Sequence, residues 1–393
     1  RPLLAKEKEI TARIEVLFGN GYSTESLTGP SAAREVEGTV DEEEVEHLRD
    51  LASEVPVIRL VNQMLSRALE SRASDIHIEP FENQLKVRYR IDGILHEVDP
   101  PPRQLKAAII SRIKILAQLN IAERRLPQDG RIKVKIAGKD VDLRIATIPT
   151  LYGESVVIRL LERSQIFADL ESLGFPPTIL RHFYEMISKP HGMVLVTGPT
   201  GSGKTTTLYG ALQKINDPGK KIITIEDPVE YQLGGVNQIQ VKPQIGLTFA
   251  NGLRSIVRQD PDIIMVGEIR DFETAEIAVQ AALTGHLVFS TLHTNDAAGA
   301  ISRLLEMGVQ DYLLGSSVLG VLAQRLVRRL CPECRKEVKF QGSRVEGFNG
   351  DPPATIWEPG GCDACSGTGY LGRIGIFELL PATPEICKLI VQK

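Results

Sequence analysis

One segment constrains this 393-residue chain more than any other, the run Gly198-Pro-Thr-Gly-Ser-Gly203-Lys204-Thr205, which has the spacing G-x-x-x-x-G-K-[ST]. It follows an apolar stretch at 193–197 and precedes helix-compatible sequence at 205–215. Glycines let the backbone fold tightly enough for its N–H groups to point at phosphate oxygens, and a helix N-terminus adds partial positive charge. The order strand, glycine-rich loop and helix therefore predicts a phosphate site in an α/β domain.

The loop predicts a nucleotide site of the Walker A type. We expect Lys204 to contact the β- and γ-phosphates and the Thr205 hydroxyl to bind Mg²⁺. No Asn-Lys-x-Asp motif for reading guanine occurs in the sequence, which favours ATP over GTP. The predicted nucleotide-binding residues are those of the loop and the first helical turn: Gly198, Pro199, Thr200, Gly201, Ser202, Gly203, Lys204, Thr205 and Thr206.

Acidic residues follow two further apolar segments of this half of the chain. Glu268 comes after 262–266, an arrangement typical of a Walker B element, and is expected to orient or deprotonate the attacking water. Glu226 and Asp227 end the segment 221–225 and offer further carboxylates for Mg²⁺ or water. The alternative for these acids is a purely structural role, because acidic residues are common where a strand leaves the core.

Two histidines flank the apolar segment 287–291. A neutral imidazole at a strand end can sense a γ-phosphate, so His286 is a candidate nucleotide-binding residue and His293 a candidate catalytic residue in contact with the nucleotide, with a structural role as the alternative for each. The apolar segments alternate with helix-compatible sequence, and this alternation predicts a mostly parallel sheet that is covered on both faces. The apolar run 318–323 has the length of a helix core.

Four of the five cysteines form two C-x2-C pairs that 27 residues separate: Cys331, Cys334, Cys362 and Cys365. Each short turn can present two sulfurs to one ion, so the spacing predicts a tetrahedral Zn²⁺ site without an open position for water. Two disulfides are the alternative, but nothing in the sequence indicates secretion. The fifth cysteine, Cys387, lies among apolar residues and is interpreted as a small hydrophobe.

The first half of the chain has a different pattern. Apolar residues at 57–69 keep a helical period, 104–119 is helix-compatible, and short strand segments lie between and after them, which predicts an α+β domain. The predicted fold class is α/β, with five regions: an N-terminal fragment and linker (1–44), an α+β lobe (45–160), a P-loop domain (161–330), a four-cysteine module that returns to the P-loop domain (331–375) and a C-terminal helical segment (376–393).

Net charge, aromatic content and hydropathy argue against some classes of protein. The 46 basic and 50 acidic residues leave a net charge of −4, and aromatic residues make up 5 %, which argues against a nucleic-acid translocase with a basic, stacking channel. The basic cluster of Arg325, Arg328 and Arg329 is weak evidence in favour of such a translocase. No apolar run approaches the roughly 20 residues that a bilayer span requires. A nucleotide-gated adaptor without turnover is a further alternative, which Glu268 disfavours.

The motifs follow one another in an order that resembles the type II secretion and type IV pilus assembly ATPases over residues 45–380. Residues 224–230 resemble the aspartate box of that family, 262–271 its Walker B element and 284–295 its histidine box. Upstream, 74–79, 87–93 and 128–131 resemble motifs of its N-terminal domain. The four cysteines narrow the resemblance to secretion ATPases of the general secretory pathway protein E family and to pilus extension ATPases.

This resemblance implies a RecA-like P-loop motor that is preceded by a PAS-like lobe, binds ATP, Mg²⁺ and Zn²⁺, and works as a homo-hexamer. It implies a cytoplasmic ATP hydrolase that sits peripherally at the inner membrane, on a secretion platform protein, and drives assembly of a pilus-like filament for type II protein secretion without a nucleic-acid partner. Relative to such proteins, a leading adaptor-binding domain is expected to be vestigial in 1–40 and the C-terminal segment to be cut short at Lys393.

The resemblance also assigns arginines to the phosphates. Arg144 and Arg159 of the first lobe are expected to act on the transferring phosphoryl group, and Arg254, Arg258 and Arg270 of the motor to contact the nucleotide. The alternative for each arginine is a solvated surface charge. Type IV pilus extension remains the alternative function.

Overall fold

The computed structural model describes residues 42–162, 169–340 and 354–392. The chain divides into two compact units, Arg1–Ser164 and Gln165–Lys393. Of the predicted N-terminal fragment over 1–44, all but the last three residues lie outside the described residues. No helix in the described ranges is both long enough and apolar enough to cross a lipid bilayer.

Unit 1 is a six-stranded antiparallel sheet with helices, in the order β3-β2-β1-β6-β5-β4. Its helices are α1 (Glu42–Ser53), α2 (Val55–Glu70) and α3 (Lys106–Leu116), the last one shorter than the predicted 104–119. Its strands are β1 (Ala73–Pro80), β2 (Leu85–Ile91), β3 (Ile94–Val98), β4 (Gln128–Ile136), β5 (Lys139–Thr150) and β6 (Gly153–Glu162).

Alternation along the strands of unit 1 separates an apolar face from a polar face. On β1, Ile76 and Ile78 are fully buried, and they join one core with the buried stripe of α2, which includes Val57 and Val61. Successive side chains of a strand point to opposite faces, so the charged residues between these positions lie on the other face. This arrangement confirms the α+β organisation of the region.

Unit 2 contains a seven-stranded sheet in the order β15-β12-β7-β11-β10-β8-β9, parallel except for β15, which pairs antiparallel with β12. Its strands are β7 (Gly192–Thr197), β8 (Ile222–Glu226), β9 (Val236–Gln240), β10 (Ile263–Val266), β11 (Leu287–Leu292), β12 (Val318–Leu330) and β15 (Tyr370–Pro381). A separate two-stranded sheet pairs β13 (Lys336–Lys339) with β14 (Thr355–Glu358).

The helices of unit 2 cover both faces of its large sheet. They are α4 (Pro177–Ile187), α5 (Lys204–Ile215), α6 (Phe249–Ile256), α7 (Phe272–Leu283), α8 (Ala297–Glu306), α9 (Asp311–Ser317) and α10 (Pro384–Val391). Every residue of β7, β10 and β11 is buried. Met193 and Leu195 of β7 join the core with α6 to α10, whereas Val194 and Val196 join the core with α4 and α5. The predicted doubly covered parallel sheet is therefore confirmed.

One prediction about this sheet is wrong. The apolar run 318–323, interpreted as a helix core, is the first half of strand β12. A run of six apolar residues fits either element when periodicity is the only guide. Its partner β7 decides the outcome, because a strand beside β7 satisfies the backbone groups of both strands in the interior.

Candidate nucleotide site and metal centre

The P-loop turns sharply between the end of β7 and the start of α5. The ammonium of Lys204 donates hydrogen bonds to the carbonyl oxygens of Gly198 (2.8 Å) and Pro199 (3.2 Å), so it points back into the loop. Burial lowers the pKa of Lys204, and the nearby carboxylate of Glu268 opposes that shift. Thr205 and Thr206 are exposed on the first turn of the helix. The side chain of Lys204 thus folds back over the loop, with its ammonium bonded to two backbone carbonyl oxygens.

Four predicted site residues meet beside this loop. The carboxylate of Glu268 forms an ion pair with Arg270 and lies 3.3 Å from Nε2 of His293. Nδ1 of the same imidazole lies 3.5 Å from Nζ of Lys204. The structure therefore joins Lys204, His293, Glu268 and Arg270 in one chain of polar contacts.

The loop that carries Glu268 is tied to strand β11. The Thr291 hydroxyl donates to the carbonyl oxygen of Gly267 (2.7 Å), and the backbone N–H of Ile269 donates to the carbonyl oxygen of Thr291 (3.0 Å). A second tie joins the ends of β7 and β11, where Thr294 N–H donates to the Thr197 hydroxyl (2.9 Å). These bonds hold the P-loop, Glu268 and His293 at one edge of the sheet, the carboxyl edge, where ligands of such sheets bind.

Asp227 contributes to the electrostatics of this edge. The hydrogen bond and charge of Glu268, followed by the charge of Asp227, raise the pKa of Arg270. Asp227 is exposed. Asp227 is therefore a second negative charge near Arg270, in addition to Glu268.

Glu226, predicted as a second catalytic acid, has a different setting. Its carboxylate is buried and accepts hydrogen bonds from the hydroxyls of Tyr209 and Thr224 (2.5 Å) and from the Gln238 amide (3.1 Å). Burial raises the pKa of Glu226 against the effect of these bonds. Since the carboxylate faces neutral donors from α5, β8 and β9, the structure does not bring it to Lys204 and Glu268, and its catalytic assignment is not supported.

His286 is placed at the wrong end of β11 for contact with the P-loop. Its Nδ1 lies 2.9 Å from the carbonyl oxygen of Ala281, and its own carbonyl accepts a bond from Gly192, the first residue of β7. The P-loop follows the last residue of β7, so a strand of six residues, about 20 Å, separates the two. The predicted nucleotide contact of His286 is therefore not supported, whereas that of His293 is compatible with its position.

Arg254 and Arg258 are four residues apart, but α6 ends at Ile256, so Arg254 lies on the helix and Arg258 lies in the turn beyond it. Arg254 forms an ion pair with Glu273, and Arg258 lies 3.5 Å from the Ser255 hydroxyl. Within the described ranges, neither guanidinium bonds to the P-loop or to Glu268.

In unit 1, Arg144 and Arg159 stand directly opposite each other on β5 and β6. The strand register extends this pair into a cross-strand row over five strands: Arg90, Asp75, Arg159, Arg144 and Arg131. Arg159 donates through Nε to Asp75 (3.0 Å), and its side chain is 56 % exposed. Asp75 balances part of the positive charge of this row, because it pairs with Arg159 and lies 3.9 Å from Arg90.

One residue at the P-loop escaped the sequence analysis. Gln324 of β12 is buried, and its amide donates a 2.7 Å hydrogen bond to the carbonyl oxygen of Ser202. A Cβ on Gly198 would lie 2.3 Å from the backbone oxygen of Gln324. The one available signal is a lone amide within the apolar run of β12.

The four cysteines cluster as predicted, with all four sulfurs within 4.8 Å of one another. The Sγ–Sγ distances are 3.9 Å for Cys331–Cys362, 3.8 Å for Cys334–Cys365 and 3.8 Å for Cys362–Cys365. These distances exclude disulfides, and they match the edge of about 3.8 Å of a tetrahedron with metal–sulfur bonds of about 2.3 Å. The donor set therefore fits one tetrahedral metal ion.

Backbone groups favour a thiolate in this cluster. The N–H of Cys362 (3.3 Å) and that of Gly369 (3.1 Å) donate to Sγ of Cys365. Burial of Cys365 opposes ionisation, but these bonds and those from the neighbouring thiols outweigh it and lower the pKa of Cys365 to about 6. A deprotonated sulfur is the form that binds a metal.

Comparisons with known proteins show which family this chain resembles in sequence. Residues 50–393 match the family described as Type II/IV secretion system protein. The chain is 55 % identical over 400 residues to the type II secretion system protein E of Xanthomonas campestris, covering 100 % of this chain and 70 % of the relative. It is 50 % identical over 398 residues to the type IV pilus assembly ATPase PilB of Myxococcus xanthus, covering 99 % and 70 %.

A solved structure supports the same placement. The crystal structure of the pilus retraction motor PilT with bound ADP superposes with a TM-score of 0.58 at 28 % identity, covering 84 % of this chain and 85 % of that one. The resemblance predicted from the motifs is thereby confirmed, and the chain belongs to the type II/IV secretion system protein family.

Proposed function

We propose that this protein is an ATP hydrolase that drives assembly of a pilus-like filament for type II protein secretion. The observation that carries the proposal is the meeting of Lys204, His293, Glu268 and Arg270 at the P-loop. The similarity to type II secretion system protein E supplies the biological process.

The residues of the loop would bind and orient ATP. Lys204 exchanges its bonds to the Gly198 and Pro199 carbonyl oxygens for bonds to the β- and γ-phosphates. Thr205 is exposed at the start of α5, so its hydroxyl is available to hold Mg²⁺, which neutralises charge on the phosphates. Backbone N–H groups of the loop complete the cradle.

Glu268 is the residue that we assign to the attacking water. Its carboxylate lies one imidazole away from Lys204 and therefore near the γ-phosphate that Lys204 would hold. It can orient the water and accept its proton, while Arg270 and His293 hold the carboxylate in place. Arg270 and the neighbouring Asp227 balance the charge at this edge.

Arg144 and Arg159 are proposed to add positive charge to the transition state. Within the described part of unit 1, the exposed guanidinium of Arg159 makes one hydrogen bond, from Nε to Asp75. Its two terminal nitrogens are therefore left for an oxyanion. An arginine that acts in this way contributes roughly 10³–10⁵ in rate.

The four-cysteine cluster is proposed to hold structural Zn²⁺. Four thiolates occupy all positions of a tetrahedral ion, so the metal would stabilise the fold of this small module rather than activate water.

The proposed partners are further copies of the chain in a homo-hexamer and the cytoplasmic part of an inner-membrane secretion platform. With these partners the protein would be cytoplasmic and peripheral to that membrane.

Assembly of a type IV pilus is the second candidate, because the similarity to PilB extends over 99 % of the chain. Complementation separates the two functions: a strain lacking its type II secretion ATPase and a strain lacking its pilus extension ATPase each receive the gene. Restored export supports the first function, and restored piliation the second.

A multiple-turnover phosphate-release assay tests the enzymatic proposal. We expect wild-type protein to hydrolyse ATP with Mg²⁺ and Lys204→Ala to show no detectable turnover. Arg159→Ala should lose most turnover, with Arg88→Ala as its control, because the Arg88 fork is bonded at both ends to Glu79. Absence of turnover in the wild type contradicts the proposal, and strong stimulation by single-stranded DNA would favour a nucleic-acid translocase.

A further inference from the structure

Strand β12 passes the P-loop and ends at the cysteine cluster. It pairs with β7 only from Val318 to Ala323, whereas its pairing with β15 extends from Gly320 to Leu330. The second half of β12 therefore continues past the end of β7 as a two-stranded ribbon with β15. Gln324 on this strand and Cys331 directly after its end are seven residues apart, which corresponds to about 23 Å of extended chain.

The P-loop rests against the start of this ribbon. The side-chain amide of Gln324 donates a 2.7 Å hydrogen bond to the Ser202 carbonyl oxygen. The backbone oxygen of Gln324 lies so close to Gly198 that a side chain at position 198 would not fit. Ser202 directly precedes Gly203, which caps α5. A displacement of β12 would therefore move the loop and the first turn of the helix that carries Lys204.

Two buried polar atoms adjoin this contact without a hydrogen-bond partner among the described residues, Oε1 of Gln324 and Oγ of Ser202. Buried polar groups are almost always paired, and each unpaired one costs free energy. The contact between loop and strand thus leaves two polar atoms to be paired, and a shift of the loop around a phosphate would provide a way to pair them.

The cysteine cluster secures the other end of the ribbon. The N–H of Cys331 donates to the carbonyl oxygen of Gly369 (2.9 Å), and the N–H of Gly369 donates to Sγ of Cys365. The guanidinium of Arg328 on β12 stacks on the ring of Tyr370 on β15, 3.7 Å from its centroid. Both strands of the ribbon are therefore fixed to the cluster side by side.

We propose that Gln324 is a positioning residue through which the ribbon links the four-cysteine cluster to the P-loop, so that an intact cluster strengthens nucleotide binding. The inference rests on the proposed function in one respect, namely that the P-loop binds ATP. The cysteine module would then contribute to nucleotide binding in addition to the stability of its own fold.

The first experiment measures the affinity of the full chain for a fluorescent ATP analogue by titration. Gln324→Met keeps the volume of the side chain and removes the donor to Ser202, so the dissociation constant should rise about tenfold, the equivalent of one buried hydrogen bond. Gln213→Met is the matched control, because Gln213 is an exposed glutamine on α5, and its affinity should stay at the wild-type value. Wild-type affinity of Gln324→Met would overturn the proposal.

The second experiment tests the link itself with Cys334→Ser alone and combined with Gln324→Met. Cys334→Ser removes one sulfur of the cluster and should weaken binding severalfold, and the double variant should bind no more weakly than Gln324→Met alone. Effects that multiply, or wild-type affinity of Cys334→Ser, would overturn the proposal, because they would show that the cluster does not act through Gln324.

Two controls separate the possible failures. If the wild type binds the analogue no better than Lys204→Ala does, the proposed function fails, whereas a normal wild type with an unaffected Gln324 variant rejects only the positioning role. Thermal unfolding shows whether each variant folds. Should Gln324→Met not fold, Gln324→Asn replaces it, because its amide is one methylene too short to reach Ser202.

Discussion

The ends of β8 and β10 invite comparison, because these neighbouring parallel strands each lead into a glutamate at the same edge of one sheet. Ile225 pairs with Val266, so the strands are in step up to this point. Glu226 follows at once as the last residue of its strand, whereas Gly267 intervenes before Glu268. One extra residue carries the second carboxylate beyond the sheet, toward Lys204 and His293.

The two carboxylates differ in the partners that surround them. Glu226 is buried among hydroxyl and amide donors, which solvate it without a compensating positive charge. Glu268 is bonded to a guanidinium and an imidazole. Burial without a cationic partner raises the pKa of Glu226 and so favours its neutral form. The two acids both follow a strand but differ in the charge of their partners, and our proposal that Glu268 rather than Glu226 is catalytic rests on this difference.

Among the variants that test this comparison, the largest effect is expected from Glu268→Gln. The amide keeps the shape of the side chain but cannot accept a proton from water, so turnover should fall by roughly 10²–10⁴ while ATP binding persists. Phosphate release and nucleotide titration on the same sample measure the two quantities. A variant that turns over at the wild-type rate would remove the distinction between the two acids.

A smaller effect is expected from Arg270→Ala, which removes the cation from Glu268. A hydrogen bond to a charged group contributes about 1.5–3 kcal/mol when buried, and Arg270 is largely exposed, so we expect turnover to fall about tenfold. Steady-state kinetics measure it, and Arg303→Ala is the control, because that exposed arginine pairs with Glu306 on α8. Equal effects of both variants would show that Arg270 does not assist Glu268.

The smallest effect on turnover is expected from Glu226→Gln, since a neutral amide replaces an acid whose pKa is already raised by burial. Turnover should stay within about threefold of the wild type. A loss as large as that of Glu268→Gln would restore Glu226 as a catalytic residue.

The same variant has a clear signature in the pH dependence of stability. A raised folded-state pKa means that Glu226 contributes its full stability below the unfolded-state value and loses it as pH rises through the folded-state value. From pH about 4.5 upward, the wild type should therefore lose stability relative to Glu226→Gln. Thermal unfolding of both proteins across this pH range measures the difference, and parallel curves would contradict a raised pKa of Glu226.

Local sequence was sufficient for the P-loop and for the cysteine cluster, because both depend on short spacings that few other folds satisfy. The roles of Glu226 and His286 could not be predicted in this way. A glutamate at a strand end reads the same whether it faces Tyr209 or the nucleotide, and two histidines flanking one strand lie at opposite edges of the sheet. Only the tertiary partners decide these cases.

Strand β12 and Gln324 show a second limit. An apolar run of six residues does not distinguish a strand from a helix, and the choice depends on pairing with the open side of β7, whose residues lie about 125 positions earlier in the sequence. Gln324 has no motif around it, because its role consists of one contact with the Ser202 carbonyl oxygen. Contacts of this kind are specified by the fold as a whole.

The glycines of the P-loop have a consequence for how the loop tolerates mutation. A methyl group on Gly198 would collide with the Gln324 backbone, whereas one on Gly201 would meet open space and suffer only from its φ of +78°. Alanine at 201 therefore costs roughly 1–2 kcal/mol of local strain, which stabilising changes elsewhere can offset. Alanine at 198 requires a strand to move. In a library of random variants, substitutions at 201 should thus be recoverable by second-site suppressors, and those at 198 should not.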